Sequence, residues 1–171
     1  PSSFFYLSLS NTVGGAIFHD GNLLPGDAFR CGEAGHMTLI PDGKPCYCGK
    51  TGCVDAYCSA RVLSDLSGGR LEDFFLELQQ NNREYRPVWD TYLKHLSVVI
   101  NNLHMILDYD IILGGYVGSF LTPWLDTIRH LVAERNTFED DGSFVKLCTY
   151  QTGAAAYGAA MDVMEEFLRT V

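Results

Sequence analysis

Basic residues are scarce in this 171-residue chain: 12 Lys and Arg stand against 21 Asp and Glu, a formal net charge of −9. So acidic a surface argues against a segment that grips DNA, RNA or an anionic membrane by itself. Long apolar runs are also missing, so nothing reaches the roughly 20 residues a membrane-spanning helix needs. The start, Pro1-Ser2-Ser3, has no basic leader and no initiator Met. Internal repeats and low-complexity tracts are absent. We therefore expect residues 1–171 to form one lobe of a longer cytoplasmic protein, with no membrane partner.

What is present is ordinary globular material, 47% apolar and 19% charged. Phe4 to Leu9 reads as a strand. Residues 14–24 read as a second strand segment, turning near Asp20-Gly21. Residues 25–55 are rich in Gly, Pro, Cys and polar groups, and a long irregular segment of this kind needs something to pin it. From Ala56 onward helical periodicity dominates. Leu71, Phe74, Phe75 and Leu78 share one face; a longer helix begins near Pro87 and aligns Trp89, Leu93, Leu96, Ile100, Leu103 and Leu107. Asp110 to Leu113 is a short strand ending in Gly114-Gly115. A third helix runs through Trp124, Leu125, Ile128, Leu131 and Val132. Phe144 to Leu147 reads as a last strand. Gly153 opens a final helix whose Ala154, Ala155, Ala156, Ala159 and Ala160 offer a thin face for close packing. Single strands alternating with helices indicate an α/β architecture.

Six cysteines are present, three of them within eight residues: Cys46, Cys48 and Cys53. Neighbours that close seldom meet disulfide geometry with one another. With His36 they make one imidazole and three thiols, a closed tetrahedral set suited to structural zinc. Such a metal would staple a loop that has no core of its own. Cys31 and Cys58 flank the set and are possible substitutes; Cys148 is expected in the core. His19 is expected in solvent, His95 and His104 on a helix surface, and Glu139-Asp140-Asp141 in a solvated loop. Trp89 and Trp124 fit helix packing better than a stacking platform for bases.

The run Gly32-Glu33-Ala34-Gly35-His36, followed by Cys46-Tyr47-Cys48-Gly49-Lys50-Thr51-Gly52-Cys53, resembles the ROK family of sugar kinases and sugar-responsive transcriptional repressors. Val13-Gly14-Gly15-Ala16-Ile17, Asp20-Gly21, Gly26, Ile112-Leu113-Gly114-Gly115 and the Ala-rich last helix extend the likeness along most of the chain. The resemblance implies the C-terminal lobe of an actin-like ATPase fold of the ribonuclease-H type, with a zinc-stapled loop. It implies that Glu33, His36 and Asp55 hold a sugar, with His36 also a zinc ligand. Asp55 stands where the family has Glu, one methylene longer.

On the phosphate side, Ser10-Asn11-Thr12 replaces the Gly-Thr-Gly of kinase members, while Asn11, Thr12, Gly114 and Gly115 could still contact a nucleotide. The family's catalytic base lies in a segment preceding this chain, so this lobe is not expected to phosphorylate alone. The lost glycines place a regulator's sugar-sensing lobe first among the expectations. In that reading DNA is bound only through an N-terminal domain outside this sequence. A kinase lobe, using ATP and Mg2+ on a hexose or N-acetylhexosamine, comes second, and a ligand-free zinc-stapled interaction domain third. Family members are commonly dimers or tetramers, so self-association is expected.

Overall fold

The computed structural model describes residues 2–150 and 153–170. Its sheet is built from β1 (Phe4–Leu9), β2 (Val13–His19), β3 (Asn22–Leu23), β4 (Asp110–Gly114) and β5 (Val145–Leu147), in the order β3-β2-β1-β4-β5. β1 alternates strictly: Phe5, Leu7 and Leu9 are buried, and Phe4, Tyr6 and Ser8 are half-buried. That period of two is what a strand with one face on the core requires. β1 pairs antiparallel with β2, from Phe4 opposite Phe18 to Leu9 opposite Val13, and parallel with β4, from Phe4 beside Asp110 to Ser8 beside Gly114. β4 and β5 are also parallel.

The turn between β2 and β3 is the expected one. His19 faces Asn22, and the two residues between them, Asp20 and Gly21, have φ of 49° and 78°. Positive φ at both positions is the tight hairpin turn whose twist matches its strands, and Asp-Gly supplies it at low cost.

The helices are α1 (Asp55–Cys58), α2 (Arg61–Ser64), α3 (Leu71–Gln79), α4 (Tyr85–Leu107), α5 (Gly115–Gly118), α6 (Leu125–Ala133) and α7 (Ala154–Thr170). α4 packs on β4, α1, α3 and α6, and α6 packs on β5. The α3 stripe Leu71, Phe74, Phe75 and Leu78 is buried, as are Trp89, Leu93, Leu96, Ile100 and Leu103 of α4. Trp89 stacks on Tyr92 at 5.4 Å and meets Trp124 edge-on at 5.4 Å, so these rings serve packing. Burying each large side chain contributes about 1.5–3 kcal/mol. α4 starts two residues before Pro87, which falls in the first turn, where helical N–H groups lack partners anyway.

Two expectations are corrected. Among the described residues the Ala-rich face of α7 is largely open: Ala154 is half-buried, but Ala156, Ala159 and Ala160 are exposed, as are Met161, Val163, Met164 and Leu168. The side chain of Ala155 lies outside the described residues. Nor is His104 of α4 on its surface, and His95 is only partly so. His104 is buried, and His95 meets Tyr57 edge-on at 4.9 Å, with desolvation and the Lys44 charge lowering its pKa. Spacing along one helix cannot reveal partners contributed by other segments. Among the described residues, no helix is long and apolar enough to cross a membrane.

Candidate functional site

The irregular segment between β3 and α1 folds back on itself through backbone bonds. The N–H of Val54 donates to Met37 O at 2.9 Å, that of Leu39 to Gly52 O at 2.7 Å, and that of Cys46 to Lys50 O at 2.8 Å. Tyr57 of α1 anchors it from below, accepting the Lys44 N–H at 2.6 Å. Gly52 sits at φ 79°, and a Cβ there would come 1.9 Å from the Ile40 carbonyl oxygen. We expect Gly52→Ala to cost at least about 1–3 kcal/mol through backbone strain alone. A lower urea midpoint at unchanged m-value is the check; an unshifted midpoint would contradict the packing of this loop.

This folding brings four predicted residues together. His36, Cys46, Cys48 and Cys53 each point a ligand atom into one cluster, all within 4.8 Å of one another. Cys46 and Cys53 are buried, whereas Cys48 and His36 form its exposed rim. The Cys48 and Cys53 sulfurs are 3.8 Å apart. Desolvation pushes the Cys53 thiol up to about 11, with the Cys48 contact adding to the rise. The backbone N–H of Lys50 pulls Cys48 down. Cys31 and Cys58 are outside the cluster, and Cys58 is fully buried. Cys148 is half-buried at the end of β5.

The short 3-10 turn Ala34–His36 presents the second set. His36 Nε2 is 4.0 Å from Glu33 Oε2 and 3.2 Å from the Tyr47 hydroxyl, in hydrogen-bonding range of the latter. Tyr47 is the residue that pattern reading passes over. Its place between Cys46 and Cys48 is the one available signal, since the cysteine loop fixes its backbone next to His36. Its hydroxyl pKa is raised by desolvation, then by the charges of Asp55, Cys46 and Glu33. Tyr47, Glu33, His36 and Asp55 therefore share one neighbourhood. Asp55 differs from Glu33 in setting: it is 6% exposed and its Oδ1 accepts the Val13 N–H at 2.6 Å. The carboxylate thus ties α1 to the start of β2, and only its other oxygen is left for a ligand.

The predicted nucleotide residues gather at the C-terminal ends of the parallel strands β1 and β4. Gly115 has φ 79°, and a Cβ there would meet Ser10 Oγ at 2.6 Å, so glycine allows the β4–α5 turn to pass close to the β1–β2 turn. The Tyr116 N–H points to Ser10 Oγ at 3.4 Å. Asn11 and Tyr116 line a cleft of about 270 Å³ with Ser64, Leu71, Glu72 and Phe120. Thr12 is exposed beside it, and Gly114 lies against Tyr6.

An N-acetylmannosamine kinase of Escherichia coli O7:K1 is 29% identical over 170 residues, covering 95% of this chain and 57% of the relative. The chain spans about half the length of the curated relatives it matches. A ROK family glucokinase from Streptomyces griseus, solved with glucose and AMPPNP, superposes with a TM-score of 0.75 at 21% identity, over 90% of this chain and 57% of that one. A ROK family transcriptional regulator, homologous to the E. coli MLC protein, superposes with a TM-score of 0.70 at 21% identity, over 86% of this chain and 41% of that one. The α/β fold is thus that of ROK structures of both kinds. The ROK family profile itself matches residues 1–166, and the chain belongs to that family.

Proposed function

We infer that this chain is the sugar-binding and nucleotide-facing lobe of a sugar kinase acting on an N-acetylhexosamine, with N-acetylmannosamine as the leading substrate. The curated relatives carry the reading: N-acetylmannosamine kinases match nearly the whole chain at 27–29% identity. This reverses the order expected from the Ser10-Asn11-Thr12 turn. That turn is made with no residue at positive φ, so its lack of glycine does not forbid the close approach of the β4–α5 turn.

The donor set fits structural zinc. Two Zn–S bonds of about 2.3 Å at a tetrahedral angle separate their sulfurs by roughly 3.8 Å, and Cys48 and Cys53 stand at 3.8 Å. His36, Cys46, Cys48 and Cys53 would hold the ion, which closes the loop and supplies no reacting group. One ring nitrogen of His36 serves the metal; the other faces Glu33 and Tyr47. Glu33 and Asp55 accept hydrogen bonds from sugar hydroxyls, and the imidazole orients a third. The cleft beside Asn11 and Gly115 takes the nucleotide. Mg2+ and a catalytic base from outside this chain complete the reaction.

Sugar-dependent ATP consumption by the intact protein tests this. It is expected with N-acetylmannosamine and absent without sugar. Sugar binding without ATP turnover would instead support the sensing lobe of a transcriptional regulator, to which the likeness to a ROK regulator lends weight.

A further inference from the structure

The sheet has a second chemical cluster at its opposite end, near the starts of β1 and β4. There His104, in the last turn of α4, is only 5% exposed and stacks on Phe144 with ring centroids 3.5 Å apart. Its Nδ1 is 2.8 Å from the Tyr109 carbonyl oxygen, which can only accept, so Nδ1 carries a hydrogen and donates. In the neutral ring that leaves Nε2 as a lone pair, and Nε2 faces the Glu139 carboxylate at 2.8 Å. Two acceptors do not meet at that distance without a cation between them or a proton on the ring.

A third member favours the cation. Asp108 follows α4 at φ 54°. Its carboxylate joins the His104 ring nitrogen and the Glu139 carboxylate in a set whose ligand atoms all lie within 4.8 Å of one another. Among the described residues, Asp108 has no hydrogen-bond or ion-pair partner for its side chain. Both carboxylates sit at the C-terminal end of a 23-residue helix, where the helix dipole repels negative charge and attracts cations. A ring proton satisfies one carboxylate; a divalent ion takes both.

We propose that His104 Nε2, Asp108 and Glu139 form a second metal site, for a divalent first-row transition ion. One imidazole and two carboxylates suit such ions. A histidine ligand whose other N–H donates to a backbone carbonyl is the usual arrangement of metal-bound histidine. Donors at right angles on a common ion, as in octahedral coordination, lie roughly 3 Å apart at bond lengths of about 2.0–2.2 Å; the His104–Glu139 pair is already near that spacing, and exposed Asp108 needs only a side-chain rotation. Water would fill the remaining positions. The ion would tie the end of α4 to the loop after α6, independently of the sugar chemistry at the other end of the strands.

The probe is Co2+ added to protein already loaded with one equivalent of Zn2+, which the thiolates retain in preference. Calorimetry should show one further equivalent, and the absorption should lack the intense thiolate-to-cobalt band that binding at the cysteine loop would give. Asp108→Asn and Glu139→Gln should each weaken it at least about tenfold, and the double variant should abolish it. Both variants are chosen to keep the fold: Asn tolerates positive φ, and the Gln amide N–H can donate to the Nε2 lone pair of His104; circular dichroism confirms this. No Co2+ uptake beyond the thiolate site, or uptake unchanged in the double variant, would overturn the proposal.

Discussion

Cys53→Ser should strip zinc from the loop and lower the melting temperature by roughly 6–20 °C. Loss of a structural metal belongs to the mechanisms that cost about 3–5 kcal/mol. A domain of this size shifts by about 2–4 °C per kcal/mol. Cys53 is the most deeply placed of the exchangeable ligands, at 3% exposure, and its backbone bridges to Thr38. It is followed by Val54, which bonds Met37, and by Asp55, which bonds Val13. Freeing Cys53 therefore loosens three tethers between the loop, α1 and β2. Cys48→Ser should remove the metal equally but with a smaller shift, because Cys48 is exposed and carries fewer of these tethers. Elemental analysis with a thermal melt checks both. Zinc retained at one equivalent in Cys53→Ser, with an unchanged melt, would sink the staple.

Glu33→Gln should weaken sugar binding by about 10- to 150-fold while leaving the melting temperature alone. A hydrogen bond to a charged acceptor is worth about 1.5–3 kcal/mol, and each 1.4 kcal/mol is tenfold in affinity. The Glu33 side chain is 59% exposed and holds up no other part of the fold, so its loss should register in binding only. Asp55→Ala is the informative contrast. It leaves the Val13 N–H without its acceptor, at about 1–3 kcal/mol, so it should lower stability and binding together. Calorimetry with N-acetylmannosamine on the intact protein separates the two. Equal binding losses with equal destabilisation in both variants would remove Glu33 from the sugar site.

How much of this could be read in the sequence depends on the range of the interactions. β1 declares itself through the Phe5-Leu7-Leu9 alternation, and the hairpin through Asp20-Gly21, because both are settled by residues next to one another. The four-residue cluster was legible because cysteines so closely spaced in a Gly-rich loop have few other uses. Tyr47 was not, since its role comes from a contact with His36, 11 positions away. His104 reads as a surface histidine because its partner Glu139 lies 35 positions on, in a loop that looks merely acidic. Asp55 was legible as a carboxylate near the site. Its second task, bonding a backbone N–H 42 positions earlier, depends on how α1 meets β2.

The most direct test of the central claim, that a metal-held loop supports the sugar site, is graded zinc removal from the intact protein with sugar affinity followed in parallel. About one thiolate-bound zinc per chain is expected at the start, with N-acetylmannosamine affinity that falls in proportion as chelator removes it, and recovery of both when zinc is returned. Sugar affinity unchanged in fully zinc-free, folded protein would contradict it.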